Sequence, residues 1–248
     1  MAKPADLDVA WTRSRAASRL RELLVCGVLG PLMDLYTRRR VAGREHLEGH
    51  AGPVVFVANH NSHMDTPAIL RALPGRWRRR VAVAAAADYF YAKRRHALSA
   101  SLVFGTVPLD RNSGAGVGPG QTAHLDRLIG DGGSLLIYAE GTRSRDGRVA
   151  PLRPGAALFA AEHDLLIVPI YVSGTGEAMP RGHRWMVFKT GRPGPRHAIE
   201  IRFGEPIHPR ADERPGEVME RVRLFLAESG ATTERGPDVA DAPPRQHA

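Results

Sequence analysis

In "FVANHNSHMDTPAIL", residues 56–70, an apolar run gives way to Asn59, His60, Ser62, His63 and Asp65. Three kinds of chemistry fit those residue types. His60, His63 and Asp65 carry the nitrogen and oxygen donors of a metal site, and a helical turn would gather some of them. A second ligand cluster is missing, since the other histidines are scattered and no His-Glu-x-x-His pattern occurs. Asn59, Ser62 and Asp65 are also good turn formers and helix caps, a structural reading that accounts for Ser62 and Asn59 but does not require His60. The third reading is acid–base catalysis. A histidine removes a proton from a hydroxyl at neutral pH, and a carboxylate five positions on fixes its tautomer and stabilises the imidazolium. His60 and Asp65 then form the charge pair of a serine hydrolase without its serine. If the attacking hydroxyl belongs to a substrate, the product is an ester made by direct acyl transfer.

Two further blocks place polar residues just after apolar runs. "TVPLDR" ends in Arg111, and "YAEGTRSRDG" sets Glu140, Gly141, Thr142 and Arg143 behind "SLLIYA". A glycine allows close backbone approach, a hydroxyl and amides donate hydrogen bonds, and an arginine offers a bidentate contact to phosphate. A proline inside "LIVPIY" is unexpected mid-sheet and predicts a bulge or strand end near a site.

These segments need a scaffold, and the hydrophobic pattern supplies one. Short apolar runs at 54 ("VVFVA"), 81 ("VAVAA"), 106 ("TVPL"), 134 ("SLLIYA"), 166 ("LIVPIY"), 185 ("WMVF") and 198 ("AIEIRF") read as strands. Helical patterns fall between several of them, at about 65–73, 89–101, 119–130 and 154–163, and a closing helix follows Pro215 with Val218, Val222, Phe225 and Leu226 inward. Strands buried on both faces and joined by helices predict an α/β fold: a central sheet, largely parallel or mixed, flanked by helices. Ligands of such sheets gather beyond the carboxyl ends of the strands, where His60 stands.

Residues 9–29 set Leu20, Leu23, Leu24 and Val28 at helical spacing beside Arg13, Arg15, Arg19 and Arg21, an amphipathic segment that Pro31 should interrupt. The apolar stretch there is too short and too broken to span a bilayer, and "RRR" stands where a signal peptide would carry a cleavage site. Packing on the core and lying flat in a membrane interface remain as its alternatives. The expected organisation is residues 1–40 as N-terminal amphipathic helices, 41–228 as one domain, and 229–248 as a disordered polar tail. "NSGAGVGPG", 112–120, reads as a glycine-rich loop.

The chain has 248 residues, 43% hydrophobic and 25% charged, enough for one full core. Its single cysteine, Cys26, excludes a disulfide framework and favours a reducing compartment. Net charge is +9, concentrated between Arg71 and Arg95, where eight Lys or Arg meet one acid, Asp88. Such a window predicts attraction to a polyanion: an anionic membrane face, an acidic carrier protein or nucleic acid, unless it is simply a solvated arginine-rich surface. Nucleic acid is disfavoured, because aromatic residues make up only 6% and do not alternate with basic ones.

In order and spacing, "NHNSHMD", "GTVPLDR", "EGTRS" and "VPI" resemble the four blocks of the glycerolipid acyltransferases typified by 1-acylglycerol-3-phosphate (lysophosphatidic acid) acyltransferases. The resemblance covers roughly residues 40–210. It implies His60 as general base and Asp65 as its orienting partner, with Arg111 and the segment Glu140, Gly141, Thr142 and Arg143 holding the acceptor's phosphate. It implies no metal, no cofactor and no covalent acyl-enzyme; the acyl donor is a co-substrate thioester on coenzyme A or acyl carrier protein. It further implies a lysophospholipid acceptor, most simply 1-acylglycerol-3-phosphate giving phosphatidic acid, and a place on the cytoplasmic face of the cell membrane. Tyr138-Ala139 stands where the family usually has Phe-Pro, and Pro108 replaces a commonly aromatic position. Both departures fall beside the expected acceptor pocket, so another lysolipid or glycerol-3-phosphate stays open as acceptor. From other classes, a metal-dependent hydrolase and a non-catalytic membrane-binding protein remain as rivals.

Overall fold

The computed structural model describes residues 8–86, 101–109, 123–210 and 212–234. Among these, strands β1 (Thr37–Ala42), β2 (Val54–Ala58), β3 (Val81–Ala86), β4 (Thr106–Leu109), β5 (Ser134–Tyr138), β6 (Leu166–Ser173) and β7 (His197–Phe203) form one seven-stranded sheet in the order β1-β7-β6-β2-β5-β3-β4. All neighbours are parallel except β6 and β7, so the sheet is mixed, with a parallel body from β6 to β4. The register sets Ala58 of β2 opposite Tyr138 of β5 on one side and Ile170 of β6 on the other. Three parallel strands therefore deliver their carboxyl ends to the same edge, with β2 in the middle.

The sheet has a packed layer on each face. Along β2 every residue is buried, and the pleat sends alternate side chains to opposite faces. Val54, Phe56 and Ala58 join the core with α3 (Asp65–Ala72), Trp77 of α4 (Gly75–Arg78) and the N-terminal helices. Val55 and Val57 pack with α5 (Ala123–Gly130), α6 (Gly155–Glu162) and α8 (Pro215–Glu228). Helices α3, α5, α6 and α8 match the predicted ones at 65–73, 119–130, 154–163 and after Pro215, and Val218, Val222 and Leu226 of α8 are buried as their spacing requires.

Several expectations need correction. The strand expected at 185, "WMVF", is a loop; Val187 bonds to the Ala178 carbonyl at 2.8 Å, while Trp185 stays 46% exposed. Strand β1, "TRRRVA", crosses the boundary expected at residue 40. It is an edge strand with one face packed, and three successive arginines conceal its strand character while discouraging further pairing. Pro169 does not end the strand. It lies mid-β6, where pairing with the β7 segment slips by one residue, from Ile170 opposite Phe203 to Ile167 opposite Ile207, a bulge of the segment after β7, and its carbonyl accepts from Gly204 N at 2.8 Å. The chain also stays ordered past residue 229, since Val149 pairs with Thr233. The predicted loop at 112–120 and the tail beyond Glu234 lie outside the described residues, as does nearly all of the helix expected at 89–101.

Pro31 does not break the N-terminal helix. Ser14 caps α1 (Arg15–Glu22), a π-helical stretch runs from Leu23 to Leu29, and α2 (Gly30–Tyr36) follows without leaving helical backbone, so Pro31, its second residue, stands where the π turn gives way to α. Ala17, Arg21, Val25 and Met33 point inward, while Leu20, Leu23, Val28 and Leu35 face out with Trp11. The apolar stripe is thus largely turned away from the core. Arg21 is buried, donating to the carbonyls of Thr12, Ser101 and Leu102; burial, helped by Arg13, lowers its pKa to about 10. Much of the basic window is likewise committed: Arg71 pairs with Asp34, Arg78 and Arg79 share Glu22, and Arg78 also holds the Leu70 and Leu73 carbonyls at the end of α3.

Phe56 is fully buried, its ring 5.7 Å from that of Trp77 and edge-on at 88°. Phe56→Ala should lower the unfolding free energy by about 3–5 kcal/mol, the range for a deleted core aromatic, measured by denaturant titration against wild type.

Candidate active site

After Ala58 the chain must turn from β2 into α3, and its polar residues bind that turn to β6. Asn59 Nδ2 donates to the Val172 carbonyl and its Oδ1 accepts from Val172 N, both at 2.8 Å. Asn61 Nδ2 donates to the same carbonyl at 2.9 Å, and the Ser62 hydroxyl donates to Met179 O at 2.9 Å. Asn59 and Ser62 thus serve the turn and tie it to β6 and its following loop, but they do not cap α3, whose N-cap is Met64 with no side-chain cap bond.

Asp65 opens α3 and is fully buried. Its Oδ2 accepts from His60 Nδ1 at 2.8 Å, Asn61 N at 2.6 Å and Ser62 N at 2.8 Å; its Oδ1 accepts from the Thr175 hydroxyl. A buried carboxylate is tolerable only with such a donor set. Because the carboxylate can only accept, His60 Nδ1 carries the hydrogen and Nε2 is left with its lone pair toward the cleft. The imidazole also stacks on Tyr138, with ring centroids 4.0 Å apart and planes within 18°. The Tyr138 hydroxyl bonds Thr66 Oγ1 at 2.8 Å, and burial, with Asp65 nearby, pushes the phenol well above its ordinary pKa, so it stays neutral. One carboxylate and one aromatic face thus fix the ring's position and tilt.

Thr175 begins α7 (Thr175–Ala178), directly after Gly174. Gly174 has φ +77°, and a Cβ there would run into the Ala198 carbonyl, so only glycine lets β6 turn sharply enough to bring Thr175 onto Asp65.

The segment after β5 divides between two roles. Glu140 is buried and does not line the cleft. Its Oε1 accepts from His60 N at 2.7 Å and its Oε2 from Ala150 N at 3.0 Å, so it anchors backbone rather than facing a ligand. Burial raises its pKa against the pull of those two amides. Ser144 N donates to His60 O at 2.8 Å, a second tie between the loop and the histidine. Gly141, with φ +71°, Thr142 and Arg143 do line the cleft beside His60. The structure therefore gathers His60, Gly141, Thr142 and Arg143 around one opening and puts Asp65 and Glu140 behind them. Arg111 lies outside the described residues.

The cleft encloses about 570 Å³. Leu29 and Met33 from the N-terminal helices, Val83, Phe104, Ile137 and Met186 make its walls mostly apolar, and Arg143, Arg181 and Arg184 supply cationic groups. Arg181 and Arg184 carried no recognisable signal, because "PRGHRW" reads as an ordinary polar turn until β6 and α7 bring it beside His60. His63 also faces the cleft. Partial burial, then Arg143 and His60, lower its pKa to about 4, so it is a neutral group at physiological pH. Among the described residues no three His, Cys, Asp or Glu side chains converge as a metal-ligand set.

The chain is similar to several known proteins. The 1-acyl-sn-glycerol-3-phosphate acyltransferase BAT2, chloroplastic, of Brassica napus is 32% identical over 151 residues, covering 57% of this chain and 39% of that protein. A 1-acyl-sn-glycerol-3-phosphate acyltransferase of Chlamydomonas reinhardtii is 26% identical over 250 residues, covering 94% of this chain and 67% of the relative. The chain thus spans about two-fifths of the length of the Brassica protein and two-thirds of the algal one. The crystal structure of the 1-acyl-sn-glycerophosphate acyltransferase PlsC from Thermotoga maritima has the same fold, with TM-score 0.63 at 19% identity over 85% of this chain and 80% of that one. The family model described as Acyltransferase matches residues 38–173, a span that runs from β1 through the His60–Asp65 turn and the Arg143 loop to the end of β6, and the chain belongs to that family.

Proposed function

We propose that this protein transfers a fatty acyl chain from a thioester, on coenzyme A or acyl carrier protein, to the free hydroxyl of 1-acyl-sn-glycerol-3-phosphate. The observation that carries the reading is the His60–Asp65 pair at the mouth of an apolar cleft, with Nδ1 bonded to the carboxylate and no partner of Nε2 among the described residues. The acceptor hydroxyl gives its proton to Nε2 as its oxygen attacks the thioester carbonyl. The tetrahedral adduct collapses, the C–S bond breaks, and the imidazolium returns the proton to the departing thiolate. Ester and free thiol are the products, and no serine or metal is called upon. Asp65 stabilises the imidazolium in between. The apolar walls suit acyl chains, and Arg143 with Thr142 suits the acceptor's phosphate. The Brassica and Chlamydomonas relatives are named for this same acceptor. Glu140 is assigned to positioning the His60 backbone.

We further propose that the enzyme works as a peripheral protein on the cytoplasmic face of the cell membrane. Among the described residues no helix is long and apolar enough to cross a bilayer. Leu20, Leu23, Val28 and Leu35 face outward, Leu23 being 63% exposed, and Arg15 and Arg19 flank them. Leu29 and Met33 on the same helices line the cleft, so a lipid substrate would have a short path from the interface to His60.

Three measurements test these assignments. His60→Ala should reduce turnover on the order of 10²-fold or more with the fold intact, followed by mass spectrometry of lipid formed from a panel of lysolipids and acyl thioesters. A variant with near wild-type turnover would put the base elsewhere. Arg143→Ala should raise the acceptor KM by roughly tenfold or more, the worth of a charged hydrogen bond, with a smaller effect on the donor KM. Leu23→Glu combined with Val28→Glu should abolish co-sedimentation with anionic phospholipid vesicles while leaving circular dichroism unchanged; undiminished sedimentation would dismiss this face as the docking surface.

A further inference from the structure

The three arginines around the cleft lack the acid partner that a number of the described arginines have. Arg13, Arg71, Arg78, Arg202, Arg221 and Arg223 each meet an acid. Arg143, Arg181 and Arg184 line the cleft with no acid partner among the described residues. Cations left unpaired in a concave site are suited to an anion brought by a ligand.

They also come from loops that follow the strands on opposite sides of the one preceding the imidazole. In the sheet β2 sits between β5 and β6, and His60 follows β2 by two residues. Arg143 belongs to the loop after β5. Arg181 and Arg184 belong to the loop that follows β6 and α7. That loop is held firmly relative to His60: Met179 O accepts from Ser62 Oγ at 2.9 Å, Val187 N donates to Ala178 O at 2.8 Å, and Phe188 stacks on Tyr36 with centroids 4.4 Å apart. The reaction proposed above joins two anionic substrates at one imidazole, and two anions repel each other unless each has its own counter-charge.

We propose that Arg181 and Arg184 form a second anion subsite, which holds the phosphorylated end of the acyl donor, apart from the acceptor's phosphate at Arg143. The inference rests on the acyl-transfer reading. The shared ligand chemistry is a phosphate attached to pantetheine, present in both coenzyme A and acyl carrier protein. Arg181 and Arg184 bind; they take no part in proton transfer.

The test pairs R181Q/R184Q with donors that carry or lack the phosphorylated end. With acyl-CoA, kcat/KM should fall by about tenfold or more and the acceptor KM should stay within about twofold, as expected when charged hydrogen bonds to one substrate are lost. With S-acyl-pantetheine, which has no phosphate, wild type and variant should be equal, and R181K/R184K should recover part of the acyl-CoA rate. A loss shared with acyl carrier protein thioester would place the contact on the phosphate common to both donors. A loss confined to acyl-CoA would place it on the nucleotide end. An equal loss with acyl-pantetheine, an unchanged acyl-CoA reaction, or a rise confined to the acceptor KM would overturn the assignment. Failure of the wild-type protein to transfer from any donor would instead remove the acyl-transfer reading, and this subsite with it.

Discussion

The buried carboxylate of Asp65 is the constraint around which the site is organised. It sits in the protein interior with four donors on its two oxygens: an imidazole, two amides of the preceding turn and the Thr175 hydroxyl. Burying such a group is costly unless every acceptor position is met, so the donors cannot drift independently. The turn after β2, the first residue of α3 and the first residue of α7 are therefore held in one mutual geometry. His60 inherits its tautomer from that geometry, and Tyr138 adds the plane in which the ring must lie.

Sheet topology gathers the groups around this clasp, and under the proposed acyl transfer it would let the clasp serve two substrates. A parallel trio with β2 at its centre projects three loops from one edge, and the central loop carries the imidazole. Glu140 and Ser144 tie the β5 loop to the backbone of His60, and Ser62 ties the β6 loop to the same turn. Cationic groups on the flanking loops are thus fixed with respect to the reacting atoms without touching them. The N-terminal helices complete the enclosure from the other direction, contributing Leu29 and Met33 to the wall while leaving a row of apolar residues outward.

Arginine has two distinct uses in this chain. On the framework it cross-links: Arg71 joins α3 to α2 through Asp34, and Arg78 joins α4 both to Glu22 and to the open carbonyls of α3. The dense basic window is for this reason less available to external anions than its raw charge implies. In the cleft Arg143, Arg181 and Arg184 have no acid partner among the described residues. Charge counting does not separate these uses, because the deciding acids lie tens of residues away in sequence.

What the sequence determined by itself is whatever depends on near neighbours along the chain. The pairing of His60 with Asp65 follows from five-residue spacing across a strand-to-helix turn, and the run "VVFVA" could be nothing but a doubly buried strand. Arg143 was legible because a short glycine-containing segment follows a strong strand directly. Tertiary structure decided everything that depends on distant partners. Thr175 reaches Asp65 across 110 positions, and Glu140 is drawn inward by an amide 80 positions earlier, which converted an expected ligand contact into a backbone anchor. Strand β1 exists through its pairing with β7, and its own residues are too polar to announce it. The apolar stripe of the N-terminal helices could be seen in the sequence, but which side of it the core would cover could not. The physical reason is the same in each case: local propensity and spacing act within a few residues, whereas burial and counter-charge are set only when the chain has closed on itself.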